Sequence, residues 1–487
     1  MNCDKAHAHI TSSPFFREGY TTDEISAVFC PWRRMARWLE VEVALAQSQA
    51  ARGTIPAEAA EALADSADLS RFNLAAISRG IRETNHSLIP LLDQWHRASE
   101  AEAAGYIHFG ATTQDIQDTA QVLEMRDAFA IIVRDLDLLI RETARLAFSH
   151  RDTLIVGRTH GQPALPTTLG LKFAVFIDEL LRHRERLFET VSRSMVCQLF
   201  GGVGNMSALG GDPQGLLDNF AQRLGLKVPD TCWHSARDRT AEITSLFALI
   251  GGSLGKMANE ICQLSRDEIG EMEEPFHLGK IGSTTMPHKR NPEQCEQVVV
   301  LARLLKATAT AGLDTLVNEH ERDYRAVRIE WVSLSDSSMY LGAALAGLLR
   351  IMKGLIVHED ALERNMGSSA CLVGSEALMF LIAAKIGKKK AHDVLYRAAM
   401  EARETRESFL ETVVRQQDTA GLFTVEELRR ATDPEKHVGL AREITERVIK
   451  ISEKLPENNS GIELAVSPCP FLGRDGECAI NTIKRKG

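Results

Sequence analysis

The sequence predicts an all-α protein built around a bundle of long helices, and three observations carry that prediction. Proline is absent from 91–162, 230–274 and 293–433. Because proline breaks helix interiors, these gaps leave room for very long helices. Inside the gaps apolar residues recur at steps of three and four. Val122, Met125, Phe129, Ile132, Leu136 and Leu139 form one stripe, and Ile243, Phe247, Ile250, Leu254, Met257, Ile261 and Leu264 form a second. Each stripe calls for a partner helix. Aromatic residues make up only 6% of the chain, while Ala, Leu, Glu and Arg are abundant, a balance that favours helix over sheet.

Phe173, Ile177, Leu180, Leu187 and Val191 suggest a third long helix. A seven-residue repeat held over such lengths implies near-parallel packing. Gly251 and Gly252 interrupt the second stripe at a cost of roughly 1 kcal/mol each, which is understandable if a neighbouring helix approaches closely there. The expected organisation is a helical N-terminal domain over 1–111, a long-helix bundle over 112–355, a smaller helical domain over 356–455, and a loosely ordered tail over 456–487, rich in Pro, Asn and Gly.

The 487 residues hold 57 basic and 66 acidic side chains, a formal charge of −9. That is a poor balance for a nucleic-acid partner, although a few local cations suffice for a small anion. No run of 18 apolar residues is present, so no membrane span is expected, and the N-terminus lacks the hydrophobic core of a secretory signal. The nine cysteines are scattered without a CxxC pair, which fits a reducing, cytoplasmic setting. Cys197 and Cys262 read as ordinary buried thiols. Cys469 and Cys478 lie together in the tail, and two thiols without a histidine are weak as a metal site.

Three polar, glycine-rich segments interrupt the helical pattern: HFGATTQDIQDT at 108–119, GRTHGQPALPTT at 157–168 and GSTTMPHKRNPEQCE at 282–296. Loops on a rigid scaffold are where catalytic groups tend to sit. In the third, Ser283, Thr284 and Thr285 form a hydroxyl run and His288, Lys289 and Arg290 add cations. Asn291 can cap the next helix, with Pro292 at its first position and Gln294 at its third. Such a place suits a carboxylate, and it equally suits a plain inter-helix loop with a solvated charge run.

The run GSTTMPHKRNP resembles the signature of the fumarase/aspartase superfamily, Gly-Ser-Ser-x-Met-Pro-x-Lys-x-Asn-Pro, departing from it where Thr284 replaces the usual second Ser. The other two segments resemble that superfamily's remaining signature regions, in the same order, and the likeness extends over roughly residues 10–455. It implies a three-domain, all-α fold and a lyase that takes a proton from the carbon beside a carboxylate and then expels a leaving group. The intermediate places two negative charges on one carboxylate, so preorganised donors and cations must hold it. By the resemblance Ser283 is the base, with His288 and Lys289 stabilising its anion. Lys289 and Asn291 grip the substrate carboxylate, and Thr112, Thr113 and Gln114 bind from the first segment. His160 is the acid, and Glu296, which follows Ser283 by 13 residues, orients it. Thr159 and His108 join the substrate site, as do Arg322 and Arg328. The resemblance also implies no cofactor, no metal, a small dicarboxylate substrate, and a homotetramer in which three subunits build each active site.

Two branches of the superfamily stand nearest, the adenylosuccinate lyases and the 3-carboxy-cis,cis-muconate cycloisomerases. NHSLIPLL at 85–92, FGGVGNMSALG at 200–210, WHSARDRTAE at 233–242 and HERDYRAVRIEW at 320–331 look more like the cycloisomerases, which usually carry Trp where this chain has His160. Arg328 and Trp331 stand where adenylosuccinate lyases usually supply a Ser and an Arg to the nucleotide phosphate. The combination points to a β-elimination from a small substituted succinate, with C–N cleavage and release of fumarate or an analogue expected. Cycloisomerisation, adenylosuccinate cleavage and a catalytically silent structural homologue are the alternatives.

Overall fold

The structure is a computed structural model that describes residues 9–277, 279, 285–286 and 288–456, with the side chains of 368–372 excepted. The tail beyond 456, with Cys469 and Cys478, lies outside the described residues. The chain opens with α1 (Asp23–Val28), α2 (Pro31–Ala51), α3 (Ala57–Ser66), α4 (Leu74–Thr84), α5 (Ile89–Ala98) and α6 (Ala101–Ala104). The long elements follow: α7 (Thr113–Ser149), the hairpin β1 (Leu154–Thr159) and β2 (Gln162–Thr168), α8 (Leu169–Ser194), the shorter α9 (Pro213–Leu224), α10 (Asp238–Leu264), β3 (Met272–Glu273), α11 (Glu293–Asp314) and α12 (Tyr324–Lys353). After these come β4 (Ile356–Val357), α13 (Glu359–Val373), α14 (Ser375–Ile386), α15 (Lys388–Thr405), α16 (Phe409–Arg415), α17 (Val425–Ala431) and α18 (Ala441–Ser452).

Helices α7, α8, α10, α11 and α12 pack side by side into the bundle. All six residues of the first stripe and all seven of the second are buried, and Phe129 meets Phe247 across the α7–α10 contact with ring centroids 5.4 Å apart. Antiparallel α10 and α11 pack so closely that a Cβ on Gly251 would stand 2.4 Å from Leu305 Cδ1, and one on Gly255 2.7 Å from Ala302 Cβ. Gly252 does not share this role, because nothing lies within 4 Å of its would-be Cβ. A second core, including Leu378, Ile382, Leu395, Phe409 and Leu428, unites α14 to α17. The last helix, α18, returns to pack on α7 and α8.

Among the described residues the strands form two small pairs. The main one, β1 with β2, arises from a segment that reads as a loop because Pro163 and Pro166 hide its alternation. Proline is tolerated at the edge of a two-stranded pair, and Ile155 and Val156 are both buried, Ile155 in the main core and Val156 against Met366 and Val373 of α13. Its turn is His160–Gly161, both residues at positive φ (52° and 78°), the backbone that matches a hairpin's twist. Helix α12 is, by length and composition, apolar enough to cross a membrane, and two-thirds of its most apolar window is buried inside the bundle.

Gly251→Ala should destabilise by about 1–3 kcal/mol, because Leu305 is fully buried and cannot give way freely. Gly252→Ala should be neutral or stabilising by up to about 1 kcal/mol through helix propensity. Urea unfolding midpoints of the two variants check the contrast, and equal losses would disprove it.

Candidate functional site

The bundle alternates direction, so one end gathers the start of α7, the end of α8, the start of α10 and the start of α12. The other end gathers the β1–β2 hairpin, the end of α10 and the start of α11. The predicted site residues divide between these two ends.

At the first end Thr112 caps α7, and its backbone N–H donates to Asp115 Oδ2 at 3.0 Å. Arg322, just before α12, donates to Thr112 Oγ1. Thr113 Oγ1 lies 3.4 Å from His86 Nε2. His86 Nδ1 accepts from the backbone N–H groups of Leu88 (3.3 Å) and Ile89 (3.1 Å) at the start of α5. That leaves the His86 proton on Nε2, facing Thr113. His108 Nδ1 lies 2.6 Å from Glu42 Oε1 on α2. Burial alone would lower the affinity of His108 for its proton, but the hydrogen bond and charge of Glu42, aided by Asp115, outweigh it and hold the imidazole above its ordinary value. His86 is pushed the other way, by burial and by the nearby His108. Arg328 rests on the rings of Tyr324 (4.7 Å) and Trp331 (5.2 Å), and Tyr324 Oη lies 3.1 Å from Ser87 Oγ, beside His86. Thr112, Thr113, His108, Arg322 and Arg328 are thus gathered at one end. His86 joins them unforeseen, since its segment NHSLIPLL stood out in the sequence only as a marker of kinship.

Gln114 departs from expectation. Its amide donates inward to Asp118 Oδ2 and to the carbonyl of His234, both at 3.1 Å, so its donors are committed to the interior rather than to a substrate carboxylate. It belongs to a buried polar knot. Asp115 accepts from His234 Nε2 at 2.9 Å and from the backbone N–H groups of Phe200 and Gly201 at 3.0 and 2.9 Å. Arg237, fully buried, forks onto Asp118 at 2.8 and 3.0 Å and onto Glu330. Gln121 and Thr240 complete Glu330 at 2.8 and 2.6 Å. The knot joins α7, α10 and α12 beneath the polar cluster.

At the other end His160 and Thr159 are exposed at the hairpin tip, and Arg158 anchors the hairpin root by a bidentate pair to Glu271 at 2.8 and 2.7 Å. Beside it lies a cavity of about 1280 Å³, lined among others by Cys262, His288, Lys289, Asn291, Glu296 and Arg303. Lys289, Asn291 and Glu296 therefore share one space, whose lining does not include His160. Ser283 and Thr284 lie outside the described residues. The start of α11 differs from expectation. Pro292 takes the cap position, and the buried Glu274 supplies the capping acceptor from outside, receiving the N–H groups of Gln294 (3.2 Å) and Cys295 (2.9 Å). A carboxylate relieves the unpaired donors and positive end of the helix better than an amide oxygen. Cys262 is a free thiol half-buried on the cavity wall and hydrogen-bonded to the free thiol of Cys295, so it is not a plain interior thiol.

The family described as lyase matches residues 17–305, and the adenylosuccinate lyase C-terminus matches 372–448. The chain belongs to the fumarase/aspartase superfamily. This lyase is 39% identical over 446 residues to the N-acetyl-S-(2-succino)cysteine lyase of Dickeya dadantii, covering 92% of this chain and 98% of that one. It is 33% identical over 443 residues to the 3-carboxy-cis,cis-muconate cycloisomerase of Pseudomonas aeruginosa, covering 90% and 96%. Among solved structures it resembles a fumarate lyase from Mesorhizobium sp. BNC1, with a TM-score of 0.83 and 33% identity over 88% of this chain and 98% of that one.

Arg237→Met in this lyase should lower stability by about 3–5 kcal/mol, because Asp118 and Glu330 are then left buried without their cation. Chemical denaturation measures this. A loss below 1 kcal/mol would mean the knot is not a structural anchor.

Proposed function

We propose that this lyase cleaves the C–S bond of an S-(2-succino) thiol by β-elimination, releasing fumarate and the thiol. The observation that carries this reading is the 39% identity, over nearly the full length, to a protein named for such a substrate. Nitrogen was the leaving atom expected from the sequence, and this relative moves the reading to sulfur. Sulfur also asks less of the acid, since a thiol of pKa about 8.5 leaves readily as thiolate.

In this reading Ser283 removes the proton beside the retained carboxylate. The electron pair forms the new double bond, the C–S bond breaks, and His160, oriented by Glu296, protonates the departing sulfur. Lys289 and Asn291 hold the doubly charged carboxylate of the intermediate. Thr112, Thr113 and Arg322 hold the second carboxylate, with His108 and His86 beside them.

The proposal includes a homotetramer. Thr113 and the hairpin that carries His160 flank a helix of 37 residues, which spans about 55 Å. One chain cannot close both ends around a small dicarboxylate, so each site draws on several subunits. Exposed apolar residues such as Val332, Leu249 and Leu313 on the bundle helices offer faces for that assembly. A reducing, cytoplasmic setting fits the same picture.

Purified protein should release fumarate and free thiol in equal amounts from N-acetyl-S-(2-succino)cysteine, with kcat/KM well above that for adenylosuccinate. Conversion of 3-carboxy-cis,cis-muconate to its lactone, without fumarate, would replace this reading with cycloisomerisation. Ser283→Ala should lower kcat by about 10²–10⁴-fold. His160→Asn should fall at or below the low end of that range, because a thiolate can depart unprotonated. Equal losses for the two variants would count against sulfur as the leaving atom.

A further inference from the structure

We propose that Glu42 is a positioning residue of the substrate site: it grips Nδ1 of His108 and so presents the opposite ring nitrogen, as an imidazolium N–H, to a substrate carboxylate held by Thr112, Thr113 and Arg322. This rests on the reading of the first-end cluster as a carboxylate site.

The geometry is specific. Glu42 is 1% exposed, and its Oε1 lies 2.6 Å from His108 Nδ1. Its second oxygen is buried without a hydrogen-bond partner, so the His108 contact is what compensates this carboxylate's burial. His108 Nε2 has no partner among the described residues, and its side chain keeps 22% of its surface open. The backbone of His108 adopts a left-handed conformation (φ 58°), which costs a non-glycine residue energy and persists where surrounding contacts demand it. Glu42 itself cannot drift. Helix α2 is pinned to α7 by Arg33 and Arg37 on Asp127, at 2.8 and 2.6 Å, and by Arg34 on Glu124, at 2.9 Å through both oxygens.

The titratable and charged groups that face His108 are Glu42 from α2, Asp115 from α7 and His86 from the connection between α4 and α5. Arg322 stands on Thr112 nearby. The two histidines are thereby driven apart. His86, its Nδ1 occupied by two backbone donors, is biased toward the neutral form, while the carboxylate of Glu42 biases His108 toward the charged form. Such a division arises when environments separate two otherwise equal groups. In the wild-type protein the cation persists to higher pH than that of an ordinary histidine, because the hydrogen bond and charge of Glu42 raise the folded-state affinity of His108 for its proton. Charge-dependent binding is then lost only as pH rises through that raised value. Without Glu42, burial is no longer outweighed, and the loss begins at or below the ordinary histidine value of about 6.5.

The test uses fumarate as probe, with the ring proton resonance of His108 followed by NMR in the full-length protein. Glu42→Gln should make His108 titrate at lower pH. It should weaken fumarate binding about tenfold at about pH 8 and several-fold less at about pH 6. Glu42→Asp, which keeps the charge but withdraws it by one methylene, should fall between the two. The proposal is overturned if His108 titrates alike in wild type and Glu42→Gln, or if fumarate binding weakens equally at both pH values, as loss of mere structural support would do. Should Glu42→Gln fail to fold, Glu42→Asp decides: an unshifted His108 titration overturns the proposal. If the wild-type protein proves unable to cleave S-succino thiols, the functional reading fails while fumarate binding and the His108 titration still decide the role of Glu42.

Discussion

The 37 unbroken residues of α7 fix where chemistry can happen. A helix of that length is a rod of about 55 Å, and its two ends carry different groups of the polar residues to which the proposed mechanism assigns roles. Its start holds Thr112 and Thr113 under Arg322, with His86 and His108 alongside. Beyond its end come the hairpin that bears Thr159 and His160 and, through Arg158 and Glu271, the cavity lined by Lys289, Asn291 and Glu296. The rod cannot bend these groups together within one chain, so the proposed mechanism has them meet between copies.

The rod is also buried nearly all round, which is unusual for a helix with so many polar residues. Asp115, Asp118, Asp127 and Glu124 are all within 1% of full burial, and each is met by a cation or by backbone donors. Charge inside a bundle is tolerated only when paired and hydrogen-bonded, and these ties connect α7 to three neighbours. Arg237 brings in α10, Glu330 brings in α12, and Arg33, Arg34 and Arg37 bring in α2. The same ties therefore settle the positions of the Thr112 and Thr113 hydroxyls and of Glu42.

Much of this was legible in the sequence, for a physical reason. Apolar stripes such as Val122 to Leu139 report directly on helix packing, and proline-free runs report on helix length. The three signature segments pointed to the two ends where the polar clusters now lie. What stayed hidden depends on tertiary context. Pro163 and Pro166 masked a hairpin that forms because Ile155 and Val156 have a core to cover. Gln114 looked like a substrate ligand until Asp118 and the His234 carbonyl claimed its amide. Glu274, 20 residues from the helix it caps, carries no local sequence signal, and neither does Glu42, 66 residues from His108. His86 could have been suspected as a histidine just before a proline-led helix start, where backbone donors await an acceptor.

The central claim is that groups from the two ends of α7 meet only between chains. Subunit complementation tests it most directly. Ser283→Ala and Arg322→Ala variants, each inactive by itself, are unfolded together and refolded as mixed oligomers. Activity well above that of either variant refolded alone is the expected result, because some mixed sites receive both native groups. Mixed oligomers as inactive as the separate variants would contradict it, since that outcome means both groups must come from the same chain.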